Sequence, residues 1–342
     1  MTISIGILGA TGYTGAELIR ILHGHPEARI TYCSSRQYNG RQISEILEFL
    51  KGSAEYSLEE FDASAIENRC DIVFSCLPHG VSMDFIARII NKVKVVDLSA
   101  DFRIRDISTY EAWYQKHSNR ELIGEAVYGL SEIYTLEIRN ARLVANPGCY
   151  PTSVLLPLIP LLKAGLIDAG GIIIDSKSGV SGAGRGLSLK THICEAGESF
   201  SAYKAGHSHR HVPEIEQELS RAAGEALSVE FTAHLIPISR GMLSTIYVST
   251  ELPEDELKAC LNDFYRCSTF VKVVDTLPGT KDVRGTNRCL MTVVKGKTSK
   301  IATIISVIDN LTKGASGQAV QNMNLMFGLN EAAGLDYVPV FP

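Results

Sequence analysis

The sequence lacks basic runs, long apolar runs and closely spaced cysteine pairs, and each absence excludes a class of protein. Its 342 residues carry 33 Lys and Arg against 38 Asp and Glu, and this net charge of −5 argues against nucleic acid as the main partner. No apolar stretch is long enough to span a bilayer, and residues 1–6 enter a strand without a basic or apolar leader. We therefore expect neither a membrane protein nor a secreted one.

The eight cysteines include no C-x-x-C pair, so their spacing favours neither a zinc site nor an iron–sulfur site, and we expect no metal. Cys33 and Cys76 lie in apolar, strand-like segments, where a reduced core residue is the default. Reduced thiols are typical of the cytoplasm, where we expect the protein to work. The length predicts about two domains.

A glycine-rich turn follows the first predicted strand, residues 3–8. It reads Gly9-Ala10-Thr11-Gly12-Tyr13-Thr14-Gly15, and helical apolar spacing follows it. A strand, a glycine turn and a helix are the context of a dinucleotide fingerprint, in which the backbone approaches a pyrophosphate. The spacing is G-x-x-G-x-x-G, so a tight turn without a ligand is the alternative. The predicted cofactor contacts here are Gly9, Thr11, Gly12, Tyr13, Thr14 and Gly15.

The second predicted strand, residues 28–33, ends in Ser34-Ser35-Arg36. An NAD enzyme normally has Asp or Glu at this position for the ribose 2′-hydroxyl, whereas hydroxyls and a guanidinium suit a 2′-phosphate. We therefore predict NADP(H) as the cofactor, with Arg36 as an ordinary surface charge as the alternative. The strand at 71–76 should also end beside the cofactor, which adds Ser75, Leu77 and Pro78.

The order of elements predicts two kinds of sheet. Four strand–turn–helix units before residue 104 predict a doubly wound parallel sheet. Longer strands at 229–236, 243–250, 289–294 and 301–308, with few helix signals between them, predict a largely antiparallel sheet. The fold class is therefore α/β, with a Rossmann domain and an α+β domain.

Cys149 follows a short predicted strand, residues 143–145, and the stop Asn146-Pro147-Gly148. A Leu-rich helix follows, which Pro157 and Pro160 should make short or kinked. Unpaired N–H groups and the positive end of a helix dipole favour a thiolate, so Cys149 is a candidate nucleophile. The alternative is a small buried hydrophobic residue.

Three histidines, His207, His209 and His211, lie within five residues. Pro213 fits the first helical position after them, and Glu214 lies close enough to orient the His211 ring. In a Cys–His–Glu set the cysteine would be the nucleophile, the histidine its base, and the glutamate the group that orients the base. A metal site and a solvated basic loop are the alternatives.

A Gly/Ser-rich segment, residues 178–186, follows a predicted strand. Its backbone N–H groups would suit a phosphate or carboxylate, or it is a flexible linker.

These motifs together resemble the N-acetyl-gamma-glutamyl-phosphate reductase family, the NADP enzymes of arginine biosynthesis. The matching stretches are 9–15, 146–152, 178–185, 209–214, 283–289 and 310–314. The resemblance implies an NADP-binding Rossmann domain of residues 1–148 plus 315–342. It implies a second domain, residues 149–314, for catalysis, substrate binding and oligomerisation, as in glyceraldehyde-3-phosphate and aspartate-semialdehyde dehydrogenases.

In that family the cysteine matching Cys149 is the nucleophile, and a histidine of the His-Arg-His stretch is the acid/base. We favour His211 over His209 because Glu214 can orient it. Further cofactor contacts are expected from the Gly/Ser segment and the 310–314 turn, at Ser178, Gly179, Gly182, Asn310 and Lys313. Candidates for the substrate's phosphate or carboxylate are Arg103, Asn146, Arg185 and Arg240.

The implied reaction is reduction of N-acetyl-gamma-glutamyl phosphate by NADPH through a Cys149 thioester, in a homodimer or homotetramer. Three alternatives stay open: an aminoadipyl-phosphate reductase of lysine biosynthesis, an aspartate-semialdehyde dehydrogenase, and an NADP-sensing regulator without turnover. Ser131, Ser153 and His207-Ser208 depart from the family pattern and leave the substrate detail open.

Overall fold

The computed structural model describes residues 2–341, which divide into two compact units. The first holds the chain up to Pro147 together with Ala315–Asp336, and the second holds Gly148–Gly314 and the chain from Tyr337 onward. The sequence predicted that all of 315–342 belongs to the first domain. The last residues differ, because the Val340 N–H donates to the Arg284 carbonyl (3.0 Å) within the second unit.

The elements are numbered along the chain. The strands are β1 (Ile3–Leu8), β2 (Ala28–Ser34), β3 (Leu58–Glu59), β4 (Ile72–Ser75), β5 (Lys94–Asp97), β6 (Val127–Tyr128), β7 (Leu143–Ala145), β8 (Ile172–Gly179), β9 (Ser201–Tyr203), β10 (Val229–Ile236), β11 (Met242–Ser249), β12 (Val271–Val273), β13 (Cys289–Lys295) and β14 (Ile301–Ile308). The α-helices are α1 (Tyr13–His23), α2 (Ala63–Arg69), α3 (Ser82–Ile89), α4 (Ile107–Trp113), α5 (Thr135–Arg139), α6 (Cys149–Lys163), α7 (Ile193–Ala196), α8 (Val212–Ala223), α9 (Glu254–Tyr265) and α10 (Gly317–Met326).

The first unit is built on a parallel sheet with the strand order β3-β2-β1-β4-β5-β7-β6. Strand β4 is buried along its whole length, as expected for a strand covered on both faces. The strand order reverses between β1 and β4, and ligands of such sheets bind at this switch point, beyond the carboxyl ends of the strands. The predicted doubly wound sheet is confirmed.

Helix α10 is buried along its whole length within the first unit. Two of its buried polar side chains are hydrogen-bonded within the unit: the Asn322 amide donates to the Gly129 carbonyl (2.8 Å), and Asn324 bonds the His25 ring (3.0 Å). Lys94 donates to the carbonyl of Met326, the last residue of the helix (2.8 Å), where a cation also complements the helix dipole. Satisfied polar groups therefore fix the position of α10 in this unit.

The second unit is built on a mixed sheet with the order β12-β13-β14-β11-β8-β10-β9. The pairs β8/β11, β11/β14, β13/β14 and β9/β10 are antiparallel, as the sequence predicted for most of this region. The pairs β8/β10 and β12/β13 are parallel. The α+β fold with a largely antiparallel sheet is confirmed.

The two faces of this second sheet differ in cover. Ile174, Ile246, Ile304 and Val293 lie opposite one another on four adjacent strands, and all four are buried beneath the helices. One residue along, Ile173, Tyr247, Thr303 and Val294 form the matching row on the other face. In that row Ile173 is 49%, Tyr247 36% and Val294 44% exposed, so apolar surface remains open on one face.

Helix α6 runs for 15 residues, so of the two outcomes expected from its prolines, a short helix or a kinked one, the short helix is wrong. Pro160 has no N–H for the Leu156 carbonyl, and the Tyr265 hydroxyl from α9 donates to that carbonyl instead. Packing against α8, α9 and the sheet buries Tyr150 through Leu162. Although α6 is strongly apolar, neither it nor any other helix within residues 2–341 has the length and apolarity that a membrane crossing requires.

Candidate active site

Cys149 is the first residue of α6, and Gly148 is its N-cap. The Thr152 N–H and hydroxyl both donate to the Gly148 carbonyl (3.0 and 2.9 Å), which fixes the first turn. The first N–H groups of a helix have no intrahelical partner, so the start of α6 is a favourable position for negative charge. The Cys149 side chain is half-buried, whereas Cys33, Cys70 and Cys289 are buried. It therefore meets the requirement of access for a nucleophile.

The His211 ring lies directly against Gly148. A Cβ at position 148 would lie 2.5 Å from Nε2, 2.8 Å from Cε1 and 2.9 Å from Cδ2 of the ring. Gly148 has an ordinary extended conformation (φ −68°, ψ 158°), so the ring, and not the backbone, requires glycine. The fold thus brings the Nε2 edge of His211 to the residue beside Cys149.

Glu214 lies in the first turn of α8 and is almost fully buried. Its Oε1 accepts the Gly148 N–H at 2.8 Å. The sequence predicted that Glu214 orients His211. What the structure shows is that its carboxylate holds the N-cap of the helix that carries Cys149.

His209 is buried among aromatic rings, with Tyr150, Tyr203 and Phe231 at centroid distances of 5.2–5.5 Å. Burial, reinforced by the charge of Lys204, lowers the pKa of His209 to about 4, so the ring is neutral at pH 7. Its Nδ1 accepts the His211 N–H (3.1 Å). This geometry favours His211 over His209 as the acid/base.

The third histidine of the stretch, His207, is exposed and pairs with Glu216 (2.8 Å). Within residues 2–341, no three His, Cys, Asp or Glu side chains are grouped as metal ligands.

Tyr150, the residue after Cys149, and its partner Tyr203 had no role assigned from the sequence. The Tyr150 and Tyr203 hydroxyls are hydrogen-bonded to each other (3.0 Å). Burial, with a smaller contribution from Cys149, raises the pKa of Tyr203 to about 12 and raises that of Tyr150 as well. Both are therefore neutral hydroxyl groups. Tyr203 lies on the edge strand β9, which no motif connects to Cys149.

Gly314 packs against the nucleophile itself. It belongs to a π-helix, Thr312–Ser316, and its N–H donates to the Asp309 carbonyl (2.9 Å). A Cβ at position 314 would lie 2.8 Å from Cβ and 3.2 Å from Cα of Cys149. Sequence reasoning placed this turn near the cofactor and missed its contact with Cys149.

The first part of the Gly/Ser segment is tied to the neighbouring turn by backbone hydrogen bonds. The N–H groups of Gly179, Val180 and Ser181 donate to the carbonyls of residues 241, 238 and 239 (2.8–3.1 Å). Asn310 holds the same turn, accepting the Gly241 N–H (2.8 Å) and donating to the Ser181 hydroxyl (2.9 Å). These three N–H groups are committed within the protein and do not bind an anion, whereas anion binding by residues 182–186 stays a prediction.

The remaining predicted contacts of this unit lie nearby in the fold. Ser178 is buried, Gly182 lies close to its hydroxyl, and the buried Lys313 ammonium lies 5.8 Å from the Phe270 ring centroid.

Two of the candidate arginines are bound to protein groups. Arg240 makes a two-pronged ion pair with Asp309 (3.0 and 3.1 Å) and donates to the Thr312 hydroxyl (3.0 Å). In the first unit, the buried Arg103 donates to the carbonyls of Asn146 (2.7 Å) and Leu98 (2.8 Å). These contacts point to structural roles for both guanidinium groups.

The two other candidates for the substrate differ in exposure. In the first unit, the buried Asn146 amide donates to the Ala315 carbonyl (3.1 Å) and accepts from Asn322 (3.1 Å). Arg185, in the second unit, is exposed.

Glycine is present at each of the three positions of the first turn for a different physical reason. Gly9 has φ +76°, which favours glycine. A Cβ at Gly15 would lie 2.6 Å from the Gly9 carbonyl oxygen, so this position lets α1 approach the turn closely. Gly12 is the N-cap of α1, and the nearest neighbour of a Cβ there would be the Gly9 carbonyl oxygen at 3.6 Å. The helix start at Gly12 is therefore open to a ligand's phosphates.

At the end of β2, Ser34 and Ser35 are buried and Arg36 is exposed. The Ser35 hydroxyl lies 3.4 Å from that of Thr11, and Tyr13 and Thr14 begin α1. Residues 34–36 include no carboxylate, so the side chains at this strand end fit a 2′-phosphate. Ser75 is fully buried and bonds the Ser82 hydroxyl (2.6 Å), whereas Leu77 and Pro78 reach the surface.

This fold and site define the class of semialdehyde dehydrogenases. The chain matches the family models described as "Semialdehyde dehydrogenase, NAD binding domain" over residues 4–141 and "Semialdehyde dehydrogenase, dimerisation domain" over residues 149–310. An aspartate semialdehyde dehydrogenase II from Vibrio cholerae has the same fold (TM-score 0.72, 18% identity, 96% of this chain and 99% of that chain). The enzyme from Candida albicans, solved with NADP, is also similar (TM-score 0.71, 16% identity, 95% and 99% covered).

Relatives with higher sequence identity identify the family within this class. An N-acetyl-gamma-glutamyl-phosphate reductase from Desulforapulum autotrophicum is 52% identical over 98% of this chain and 99% of its own length. One from a Geobacter species is 50% identical over 99% and 100%. The chain belongs to the N-acetyl-gamma-glutamyl-phosphate reductase family, and it is an oxidoreductase with an NAD(P)-binding domain. The family predicted from the sequence motifs is confirmed.

Proposed function

We propose that the chain reduces N-acetyl-gamma-glutamyl phosphate to N-acetylglutamate 5-semialdehyde and phosphate, through a thioester on Cys149. The observation that carries this proposal is the start of α6, where Gly148 lies between the His211 ring and the Glu214 carboxylate, next to Cys149. The names of relatives about half identical over nearly their full length support the choice of acyl group.

The covalent step uses residues of the second unit alone. His211 removes the thiol proton, and the thiolate attacks the acyl carbon. A sulfur–carbon bond forms, the carbon–oxygen bond to phosphate breaks, and phosphate leaves with that electron pair and the proton held by His211. The positive end of α6, where Cys149 is the first helical residue, stabilises negative charge on the sulfur and on the carbonyl oxygen.

NADP(H), when bound, supplies the two-electron reduction that takes the thioester to the aldehyde level. When the reduced adduct breaks its carbon–sulfur bond, His211, reprotonated from water, neutralises the returning thiolate. Glu214 keeps the N-cap in place throughout, and His209 stays neutral and holds the His211 backbone.

The first unit is the proposed binding site of NADP(H). The open helix start at Gly12 would receive the pyrophosphate, and Ser34, Ser35 and Arg36 would receive the 2′-phosphate. Contacts from Leu77 and Pro78, and from Ser178, Gly179, Gly182, Asn310 and Lys313, stay predictions.

The test is phosphate-dependent formation of NADPH from N-acetylglutamate 5-semialdehyde by the purified chain. We expect turnover in the wild type, loss of turnover in Cys149→Ser, and an acyl adduct on Cys149 detectable by mass spectrometry. Cys267→Ser, which changes an exposed cysteine, is the matched control and should keep full activity. Turnover that survives Cys149→Ser would remove the thioester route. Turnover only with an aspartyl or aminoadipyl substrate would show that the acyl group is that one and not N-acetylglutamyl.

We also propose that the chain forms a homo-oligomer through the open face of the second sheet. Apolar side chains in register across β8, β11 and β13 leave a surface that a second copy would cover. Tyr247→Lys should dissociate the oligomer in analytical ultracentrifugation, whereas Leu136→Lys, at an exposed site of the first unit, should not. A monomeric wild type would contradict this proposal. Free thiols at all eight cysteines support a cytoplasmic location.

A further inference from the structure

The loop after β4, residues 76–80, packs against the glycine turn of the first unit. A Cβ at Gly9 would lie 2.8 Å from the Cys76 carbonyl oxygen and 3.5 Å from Cδ2 of Leu77. Leu77 is half-buried and Pro78 is exposed, directly beyond the carboxyl end of β4. Ligands of a doubly wound sheet bind beyond these strand ends, in pockets lined mainly by apolar side chains. The position of this loop therefore shapes the site that a dinucleotide would enter.

The carboxylate of Asp101, in the turn after β5, holds the C-terminal end of this loop. Its Oδ1 accepts the Gly80 N–H at 2.7 Å, and its Oδ2 accepts the Met83 N–H, in the first turn of α3, at 3.2 Å. The Tyr110 hydroxyl from α4 also donates to Oδ1 (2.9 Å). Asp101 is fully buried, so its loss would take the acceptor from two backbone N–H groups. One side chain thus fixes both the end of the loop and the start of the next helix.

Two further side chains attach the same loop. The Gln115 amide donates to the Gly80 carbonyl (3.1 Å), and a Cβ at Gly80, which has φ +78°, would lie 2.4 Å from that amide. Within the loop, Nδ1 of His79 accepts the Ala100 N–H (2.9 Å). The loop is therefore bonded on one side to the turn that carries Asp101 and on the other to Gln115.

The network around Asp101 contains a second buried carboxylate, that of Asp97, the last residue of β5. The Ser82 and Ser99 hydroxyls donate to it (2.6 Å each), and the Asp101 N–H donates to the Ser99 hydroxyl (3.1 Å). Burial, and after it the charge of Asp101, raises the pKa of Asp97 to about 6. Two like charges in a protein interior oppose folding, and such arrangements are common at functional sites. Stability alone therefore does not account for this pair.

We propose that Asp101 is a positioning residue for the cofactor, because it holds the loop of residues 77–80 in the conformation that receives NADP(H). This inference rests on the cofactor site proposed above for the first unit. The full burial of Asp101 means that it acts through the backbone of Gly80 and Met83 and not by contact with the cofactor. A loop that occupies its binding conformation for only a fraction of the time lowers the apparent affinity by that fraction.

The decisive variant is Asp101→Asn. Asparagine keeps one acceptor oxygen but turns an NH₂ group toward the other backbone N–H, so one of the two bonds is lost. We expect the Kd for NADPH, measured by fluorescence titration, to rise about tenfold, the loss typical of a hydrogen bond to a charged group. In the phosphate-dependent oxidation of the semialdehyde, the KM for NADP should rise equally. The kcat should stay within about twofold of the wild type, because saturating cofactor restores the loop.

Two more variants separate positioning from general stability. Asp62→Ala, in the same unit, removes the N-cap of α2, whose Oδ1 accepts the Ala65 N–H (3.1 Å). This control should lower the thermal midpoint and leave the Kd and both kinetic constants unchanged. Gln115→Ala removes the other attachment of Gly80 at an exposed position, where folding is not at risk. It should raise the Kd in the same direction as Asp101→Asn, but less.

A wild-type Kd in Asp101→Asn would overturn the inference. Where that variant does not fold, a wild-type Kd in Gln115→Ala overturns it instead. An equal rise of the Kd in Asp62→Ala would also overturn it, because the effect would then be a loss of stability. NADPH binding with the expected variant effects, but without turnover of N-acetylglutamate 5-semialdehyde, would contradict the proposed reaction and leave the positioning role intact.

Discussion

Two helices of this chain begin at a glycine N-cap with nearly the same backbone. Gly12 before α1 has φ −74° and ψ 169°, and Gly148 before α6 has φ −68° and ψ 158°. Their surroundings are opposite. A Cβ added at position 12 would lie 3.6 Å from its nearest neighbour, whereas one added at position 148 would lie 2.5 Å from the His211 ring.

The difference shows how one structural element serves two purposes. An open N-terminus leaves its N–H groups and its dipole to a phosphate that comes from solution. At Gly148 the protein fills the space with its own base and uses the same dipole to favour a thiolate on the next residue. At position 148 a side chain, the His211 ring, requires glycine. At position 12 the ligand that has to approach requires it.

The largest effect should come from Gly148→Ala. The new Cβ would displace the His211 ring from the start of α6, and we expect kcat/KM to fall about 10²–10³-fold, as for other misplaced acid/base groups. Circular dichroism and the thermal midpoint should stay near those of the wild type. Gly12→Ala is the matched control: it should leave Cys149 alkylation unchanged and weaken cofactor binding alone. Full activity in Gly148→Ala would show that the ring position is irrelevant.

A second, smaller effect should separate the two roles of Glu214. Glu214→Gln keeps an oxygen that can accept the Gly148 N–H but removes the charge, whereas Glu214→Ala leaves that buried N–H without its acceptor. An unpaired buried donor costs about 1–3 kcal/mol, so we expect a destabilisation of that size in Glu214→Ala and little in Glu214→Gln. Urea denaturation measures it. Equal stability in both variants would mean that the hydrogen bond does not support the N-cap.

A third expectation concerns pH and His209. Its pKa in the folded chain, about 4, lies below the ordinary 6.5, so the unfolded chain binds more protons between these values. Stability should therefore fall as the pH falls from about 6.5 to about 4, by up to about 3 kcal/mol from this group. His209→Asn, whose Oδ1 can replace Nδ1 as an acceptor, should lose this part of the acid sensitivity. Identical pH profiles of the two proteins would contradict a buried, neutral His209.

The smallest expected effect concerns the unit that contains Gly12, where the cofactor is proposed to bind. Arg36→Ala should raise the KM for NADP about tenfold or more and leave that for NAD unchanged, because the guanidinium would pair only with the 2′-phosphate. Arg29→Ala, which changes an exposed arginine at the start of β2, serves as the control. An unchanged ratio of the two KM values would indicate that Arg36 is an ordinary surface charge.

Local patterns were enough to predict the fold and the position of Cys149. Strand, turn and helix signals are short-range, so β1, the glycine turn and the start of α6 were readable from adjacent residues. Contacts between distant segments were not. The prolines of α6 predicted a short or kinked helix. The helix nevertheless extends for 15 residues, because Tyr265, 109 residues from Leu156, supplies a donor that no local pattern shows.

The same limit applies to the site. Only folding brings Gly314 against Cys149 and Tyr203 against Tyr150, the next residue. Arg240 was a plausible anion-binding residue, and its ion pair with Asp309, distant in sequence, indicates a structural role. The N–H groups of residues 179–181 were misjudged because their acceptors, within residues 238–241, come from another part of the chain.

The most direct test of this account is the rate of Cys149 alkylation by iodoacetamide at pH 7 in the wild type and in His211→Asn, followed by mass spectrometry. We expect Cys149 to react faster than the exposed Cys267 in the same chain, and this advantage to disappear in His211→Asn. Equal rates for Cys149 in the two proteins would contradict the claim that the imidazole at Gly148 activates the sulfur at the start of α6.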